Sequence, residues 1–391
     1  MGPLGQRNIV SVSWGDHLVF GEGEGRHHTL EALCRRMVSW RQDLGAGLIH
    51  WRCTRDRIQG RYSAARGHRH FFQARKPRVP WDDFREVPRL AHGLGMGVLL
   101  HVSLFDEGWP LLPKQVRERS YHNAMHGQHV SWQTEFSRRN PQYAVTDRTR
   151  RQAQWGVLSL AYAEVREHFL GRYRRLLDAG EFDGLFVCLR SQSRPADFAD
   201  QYGYNEPIRR EFLERYGKDI WKEDFDLKAW RELLGDYLTR FFMELRESLP
   251  RDAVLAAGVP RGSVLGPPLG NTSLQWDRWV EEGIVDHLVI DQNSSRCPSM
   301  WHHLWPMHRG YGYVQNYLDG LGMKPLEEDL MSSYLPVVRG RRVKLYVARQ
   351  WRERSEVEER SLLGQPAVAG LVFSSFRHDN PGPASRNDWR A

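Results

Sequence analysis

Eight short apolar runs recur along this chain, each separated from the next by a stretch in which apolar residues fall three and four positions apart. The runs are Ile9–Trp14, Leu48–Trp51, Gly97–Leu104, Gly184–Arg190, Ala253–Gly258, Asp286–Asp291, Val343–Arg349 and Ala369–Phe376. Short runs rich in β-branched and aromatic residues read as strands covered on both faces, and the stretches between them as amphipathic helices. Eight strand and helix alternations predict a (β/α)8 TIM barrel in the α/β class. With 391 residues, 40% of them hydrophobic, the chain can bury one large core. No internal repeat or low-complexity linker divides it, so residues 1–391 read as one barrel domain.

The connections are unequal. Long ones follow strands two, three, four and six, over Thr54–Pro80, Phe105–Trp155, Ser191–Asn205 and Gln292–Pro325. Loops after strands lie on the C-terminal face of such a barrel, where active sites are built. The clearest unit is FDGLFVCLRS (Phe182–Ser191) followed by QYGYNEPIRREFLERYGKDI (Gln201–Ile220). It reads as a strand, a loop and a return helix opening at Asn205-Glu206-Pro207.

The net charge of +8 comes from 56 basic residues of which only seven are Lys, so Arg carries it. A GC-rich genome gives that bias, and so does a cleft that attracts a sulfated or uronate-bearing glycan. A basic tail or a nucleic-acid motif is not evident, so nucleic acid is not expected as a partner. Cys34, Cys53, Cys188 and Cys297 are too scattered for a disulfide framework or a metal pair. No apolar run approaches the roughly 18 residues of a membrane span. MGPLGQRNIV lacks the layout of a secretion signal, which leaves cellular location open.

The segment WDDFREVPRLAHGLGMGVLLHV, where an acidic helix leads into the third strand, and FDGLFVCLRS with QYGYNEPIRREFLERYGKDIWKEDFD resemble the glycoside hydrolase family ten-like barrel proteins. These form a loose group of bacterial glycosidases. The likeness covers about half the chain, and it implies hydrolysis of glycosidic bonds in a poly- or oligosaccharide. Many related barrels carry an Asp nucleophile five positions after the Asp-Gly; here that position is Cys188. The acid that amylase-like barrels carry at the fifth strand end is replaced by Val259, Pro260 and Arg261.

Glycoside hydrolysis needs two carboxyl groups, a proton donor and a nucleophile or base, roughly 5 to 10 Å apart. Asp291 ends the sixth strand and is followed by Gln292 and Asn293, which suit sugar hydroxyls; capping the next turn is the other reading. Glu206 is the second candidate, although Asn205-Glu206-Pro207 also suits an ordinary helix start. Asp16, Asp106, Glu107, Glu353 and Asp379 fall on the same face, as sugar ligands or plain loop residues. Asp183 precedes its strand and is assigned to the opposite, stability face.

Arginines end several strands: Arg52, Arg190, Arg261, Arg349 and Arg377. Their planar forks suit carboxylate or sulfate, and equally suit pairing with loop acids. Trp14, Trp51, Trp109, Trp301, Trp305 and Trp351 offer flat faces for sugar rings or for packing loops. His122, His126 and His129, and His302, His303 and His308, have spacings compatible with zinc. The first strand ends in SWGD rather than the HxH of metal-dependent barrel hydrolases, so no metal is assigned.

The expectation is a glycoside hydrolase, without cofactor, using Asp291 and Glu206. Substrate contacts are expected from Arg190, Asn205, Gln292, Asn293 and Trp351, with Asp16, Trp51, Arg52, Asp106 and Arg349. A carbohydrate-binding barrel that has lost its nucleophile, and a polysaccharide lyase using Tyr of QYGYNEP or GYGYVQNYLDG, are the alternatives.

Overall fold

In a computed structural model the described residues are 7–12, 29–53, 61–64, 81–107, 130–189, 200–265, 272–290, 324–349 and 356–375. They contain twelve strands: β1 (Asn8–Val12), β2 (Ala46–Arg52), β3 (Arg61–Ala64), β4 (Gly97–Ser103), β5 (Val130–Gln133), β6 (Ala144–Thr146), β7 (Ala153–Leu158), β8 (Gly184–Cys188), β9 (Val254–Gly258), β10 (His287–Ile290), β11 (Lys344–Ala348) and β12 (Val368–Ser374). Eight of them close into a barrel in the order β1-β2-β4-β8-β9-β10-β11-β12, and every neighbouring pair is parallel. Each corresponds to one of the eight apolar runs.

Helices occupy the connections. They are α1 (Leu30–Asp43), α2 (Asp83–Gly93), α3 (Glu135–Arg139), α4 (Ala163–Leu177), α5 (Glu206–Tyr216), α6 (Leu227–Ser248) and α7 (Trp276–Glu281). A composite helix follows, made of α8 (Leu326–Asp329), a π-wound turn at Leu330–Tyr334 and α9 (Leu335–Val338); α10 (Glu356–Gly364) precedes the last strand. The fold is a (β/α)8 barrel.

Side-chain alternation divides the core in two. Ile9, Leu99, Phe186, Ala256, Val289, Tyr346 and Val372 fill the barrel interior. Their neighbours of opposite parity, among them Val10, Ile49, Leu100, Leu185, Leu255, Leu288, Leu345 and Leu371, pack outward in a separate cluster that includes the helices. Each large buried side chain contributes about 1.5–3 kcal/mol over leaving it in water.

The edge at which the strands begin is fastened by polar side chains. Asp183, one residue before β8, accepts from Val98 N at 2.6 Å and contacts His92 Nε2 at 3.1 Å. Asp286, one residue before β10, accepts from Leu255 N at 2.8 Å and from Arg246 at 3.1 Å. Asn8 accepts from Leu371 N at 2.9 Å and donates to Leu44 O at 2.8 Å. Each ties the start of one strand to its neighbour, and Asp183 thus holds the place the sequence assigns it. Gly184 follows with φ +152, and a Cβ there would stand 2.0 Å from Val254 O. The Asp-Gly pair is therefore a fastening plus the one residue able to pass β9 so closely.

Two expectations change. The helix at Glu206 is a short layer ended by Gly217 at φ 68, and the return to the barrel is made by the 22-residue α6, which leads into β9. The stretch Phe105–Trp155, read as loop, holds β5 paired antiparallel with β3, the short helix α3, and the antiparallel pair of β6 with β7.

Candidate functional site

The barrel interior becomes polar toward the ends of the strands. In β2 the alternation of LIHWR sends Leu48, His50 and Arg52 to one side, and in β4 LLHVS sends Leu99, His101 and Ser103 to the same side. His50 stacks on the interior ring of Phe186, 3.9 Å between centroids, and His101 meets that ring edge-on at 4.8 Å. His50 is fully buried and, among the described residues, neither ring nitrogen has a hydrogen-bond partner, nor has the buried Oγ of Ser11, its register neighbour on β1. Burial holds the His50 imidazole well below its ordinary pKa, with the charge of His287 acting the same way. His50 is therefore a neutral ring.

Arg52 lies one inward step beyond His50 and is 3% exposed. Its Nη1 donates to Ser103 Oγ at 2.5 Å, and its Nη2 stands 3.9 Å from the Asp106 carboxylate. A guanidinium buried this deeply needs hydrogen bonds and a counter-charge, which the third strand and the loop after it supply. Of the expected site residues, the structure brings Arg52 and Asp106 together. Glu107, adjacent in sequence, turns the other way, accepting from Arg172 at 2.8 Å and from Thr134 Oγ1 at 2.5 Å, and so anchors α3 and α4.

Three expected contacts are placed differently. Trp51 has the outward parity of β2, is fully buried, and donates from Nε1 to Asp83 Oδ2 at 3.1 Å beside Trp81. It packs the wall against α2 instead of facing a cleft. Arg349 continues β11 beyond the inward Ala348 and donates to Glu358 of α10 at 2.5 Å, which puts its charge against the outer helix. Asn205 spends its amide on the chain, donating to Ala144 O at 2.9 Å and accepting from Thr146 N at 3.3 Å, so it staples the β6 edge. Glu206 starts α5 half exposed, 3.3 Å from Arg209 Nη1. Its charge also helps to raise the pKa of the Tyr162 hydroxyl, behind burial as the main cause.

Asp16, Arg190, Asp291, Gln292, Asn293 and Trp351 lie outside the described residues, as do the two histidine groups and Glu353, Asp379 and Arg377. Among the described residues, no three of His, Cys, Asp and Glu converge as metal ligands, and no helix is long and apolar enough to cross a membrane. Cys188 sits at the inward position of β8, 2% exposed, opposite Gly258 of β9. Sequence reasoning missed His50, His101 and Ser103. The signal was available in the period-two alternation, which puts them on the face shared with Leu48 and Leu99.

These features define a parallel (β/α)8 barrel with a polar mouth around a buried arginine. No protein-family model and no curated protein matches the chain, so the family ten-like resemblance stands on the quoted residues alone. Among solved structures it is similar to α-L-fucosidase isoenzyme 2 from Paenibacillus thiaminolyticus, with 10% identity, a TM-score of 0.47, and coverage of 98% of this chain and 47% of that one. It is similar also to the maltogenic α-amylase AmyB from Thermotoga neapolitana, at 9% identity and a TM-score of 0.46, covering 98% and 70%. The GH36 α-galactosidase AgaB from Geobacillus stearothermophilus gives 11% and 0.43, covering 98% and 40%. The chain thus spans about half the length of the fucosidase. The likeness is one of barrel outline.

Proposed function

We propose that this barrel is a glycoside hydrolase acting on a poly- or oligosaccharide. The observation that carries the reading is the cluster of Arg52, Ser103 and Asp106 at the strand ends, above the apolar floor of the barrel interior. A buried guanidinium beside a carboxylate offers donors and acceptors to sugar hydroxyls in a site where water is scarce. Asp291 and Glu206 supply the two carboxyl groups: one protonates the glycosidic oxygen while the other attacks the anomeric carbon or activates water. Asp106, next to Arg52, binds hydroxyls. Arg190, Gln292, Asn293, Trp351 and Asp16 complete the substrate contacts, and anionic sugars fit the arginine-rich composition.

A non-catalytic carbohydrate-binding barrel is the second reading, favoured by the thiol of Cys188 where related barrels carry an acid. Reducing-end release from neutral, uronate-bearing and sulfated polysaccharides separates the two. Hydrolysis lost in both Asp291→Asn and Glu206→Gln, with cooperative melting retained, supports the enzyme and its pair. Binding without release from any glycan supports the second reading.

A further inference from the structure

The turn between β6 and β7 reads DRTRR (Asp147–Arg151) and presents three arginines on the connection that follows the third barrel strand. Asp147 organises it. Its Oδ1 accepts from Arg151 N at 2.9 Å and Gln152 N at 3.0 Å, and its Oδ2 accepts from Thr149 Oγ1 at 2.7 Å. That carboxylate is thereby spent on the turn itself. Arg150 holds φ 61, a left-handed conformation that costs a residue with a Cβ about 1 kcal/mol or more.

The turn's own bonds hold it there, with Arg150 N donating to Asp147 O at 3.0 Å, and the Arg150 side chain lies on a ring. Its guanidinium carbon lies 4.1 Å from the centroid of Trp221. Trp221 is fixed in turn by Nε1 donating to Tyr204 O at 2.8 Å and by its own amide donating to Asp219 Oδ1 at 3.0 Å. Arg148 lies over Phe225 at 5.3 Å and donates to Glu223 O at 2.7 Å. None of Arg148, Arg150 and Arg151 makes an ion pair with an acid among the described residues, and Arg150 and Arg151 are exposed. Nearby Asp219, by contrast, is gripped at both oxygens by Arg209 at 2.8 Å. A guanidinium lying over an indole keeps its in-plane N–H donors free, so Arg150 is a positioned fork with no acidic partner among the described residues.

We propose that this turn is an outer subsite that takes the carboxylate or sulfate groups of an anionic polysaccharide, with Arg150 as its positioned fork and Arg148 and Arg151 beside it. The inference rests on the glycoside reading for its ligand class. The turn is tied to the loop after the fourth strand, through the Asp147–Tyr202 bridge and through Gly203 N and Tyr204 N donating to Thr146 O. It therefore flanks the barrel face on which the site lies. Three cations match the spaced charges of a sugar chain, whereas a nucleic-acid footprint of ordinary salt dependence needs about 6–10 phosphate contacts.

The test is direct binding, independent of turnover, using oligogalacturonate, heparin and neutral dextran with the whole chain. The variants are Arg150→Gln/Arg151→Gln and, separately, Arg150→Gly. Both should weaken binding of the anionic glycans about tenfold or more and leave dextran unchanged. Arg150→Gly, relieved of its left-handed cost, should melt at or above the parent temperature, which separates lost binding from lost folding. Unchanged affinity for both anionic glycans overturns the inference, and so does tighter binding of a single-stranded oligonucleotide of equal charge. If no glycan is hydrolysed but the variants still lose heparin or oligogalacturonate, the subsite stands and the hydrolase reading falls. Hydrolysis of an anionic glycan that both variants perform with unchanged KM removes the subsite alone.

Discussion

Arg52 shows how one buried charge organises the mouth of the barrel. It is held by Ser103 and faced by Asp106, so removing the arginine takes a counter-charge away from a mostly buried carboxylate. Arg52→Met is expected to lower unfolding free energy by about 3 kcal/mol, and Arg52→Met with Asp106→Asn to recover part of it, as measured by urea melts. The interior histidines make a second prediction. Burial lowers His287 to about 4 and His168 to about 3, each assisted by neighbouring cations, and it holds His50 well below its ordinary value too. These rings are neutral when folded, while the unfolded chain takes up protons below about pH 6.5. Their contribution to stability is therefore complete above pH 6.5 and is lost as pH falls toward 4. Each fully buried ring adds up to about 1.4 kcal/mol per pH unit to that slope, and the more exposed His168 adds less. Melting temperatures at pH 7.5 and 5 should converge in His287→Gln relative to the parent.

At the scale of elements, the ties at the strand starts are separable from the mouth. Asp183→Ala and Asp286→Ala each leave a strand amide without its acceptor, and each should cost about 1–2 kcal/mol with glycan binding unchanged, which melting and affinity gels can check together. These elements also show what a reader of the sequence sees. All eight barrel strands were legible because runs such as GVLLHVS and AGLVFS are mostly apolar and flanked by helices of clear periodicity. The strands VSWQ, AVT and AQWGVL were not, being three to six residues long and mixed in polarity, so their pairing is decided by tertiary contacts. At Asn205-Glu206-Pro207 the start signal was real, but a start signal does not say which of two successive helices returns to the sheet. Arg52 and Asp106, both expected at the site, are neighbours at the strand ends. Trp51 and Arg349 show where position along a strand falls short, because parity or strand continuation sets their side chains against the outer helices.

For the whole molecule, closure is the property everything else depends on. The seam joins β12 to β1, with Ile9 beside Val372 and Ser11 beside Ser374. Gly370 lies at this seam, and a Cβ there would meet Arg7 O at 2.2 Å. Gly370→Val should therefore abolish cooperative thermal unfolding rather than shift its midpoint, as followed by near-ultraviolet circular dichroism. A substitution of equal size on the exposed face of α10, at Val357, should leave the transition intact.

That seam also sets a schedule for the ribosome. The fastening from Leu371 to Asn8 spans 363 residues, so β1 can pair with β2 early but waits for almost the entire chain before its other edge is covered. At about 5–20 residues per second the wait is roughly 20 to 70 s, during which an apolar parallel edge stands open to any neighbouring nascent chain. Yield of soluble protein should thus depend on translation speed and on chaperone supply more than the finished barrel's stability would suggest.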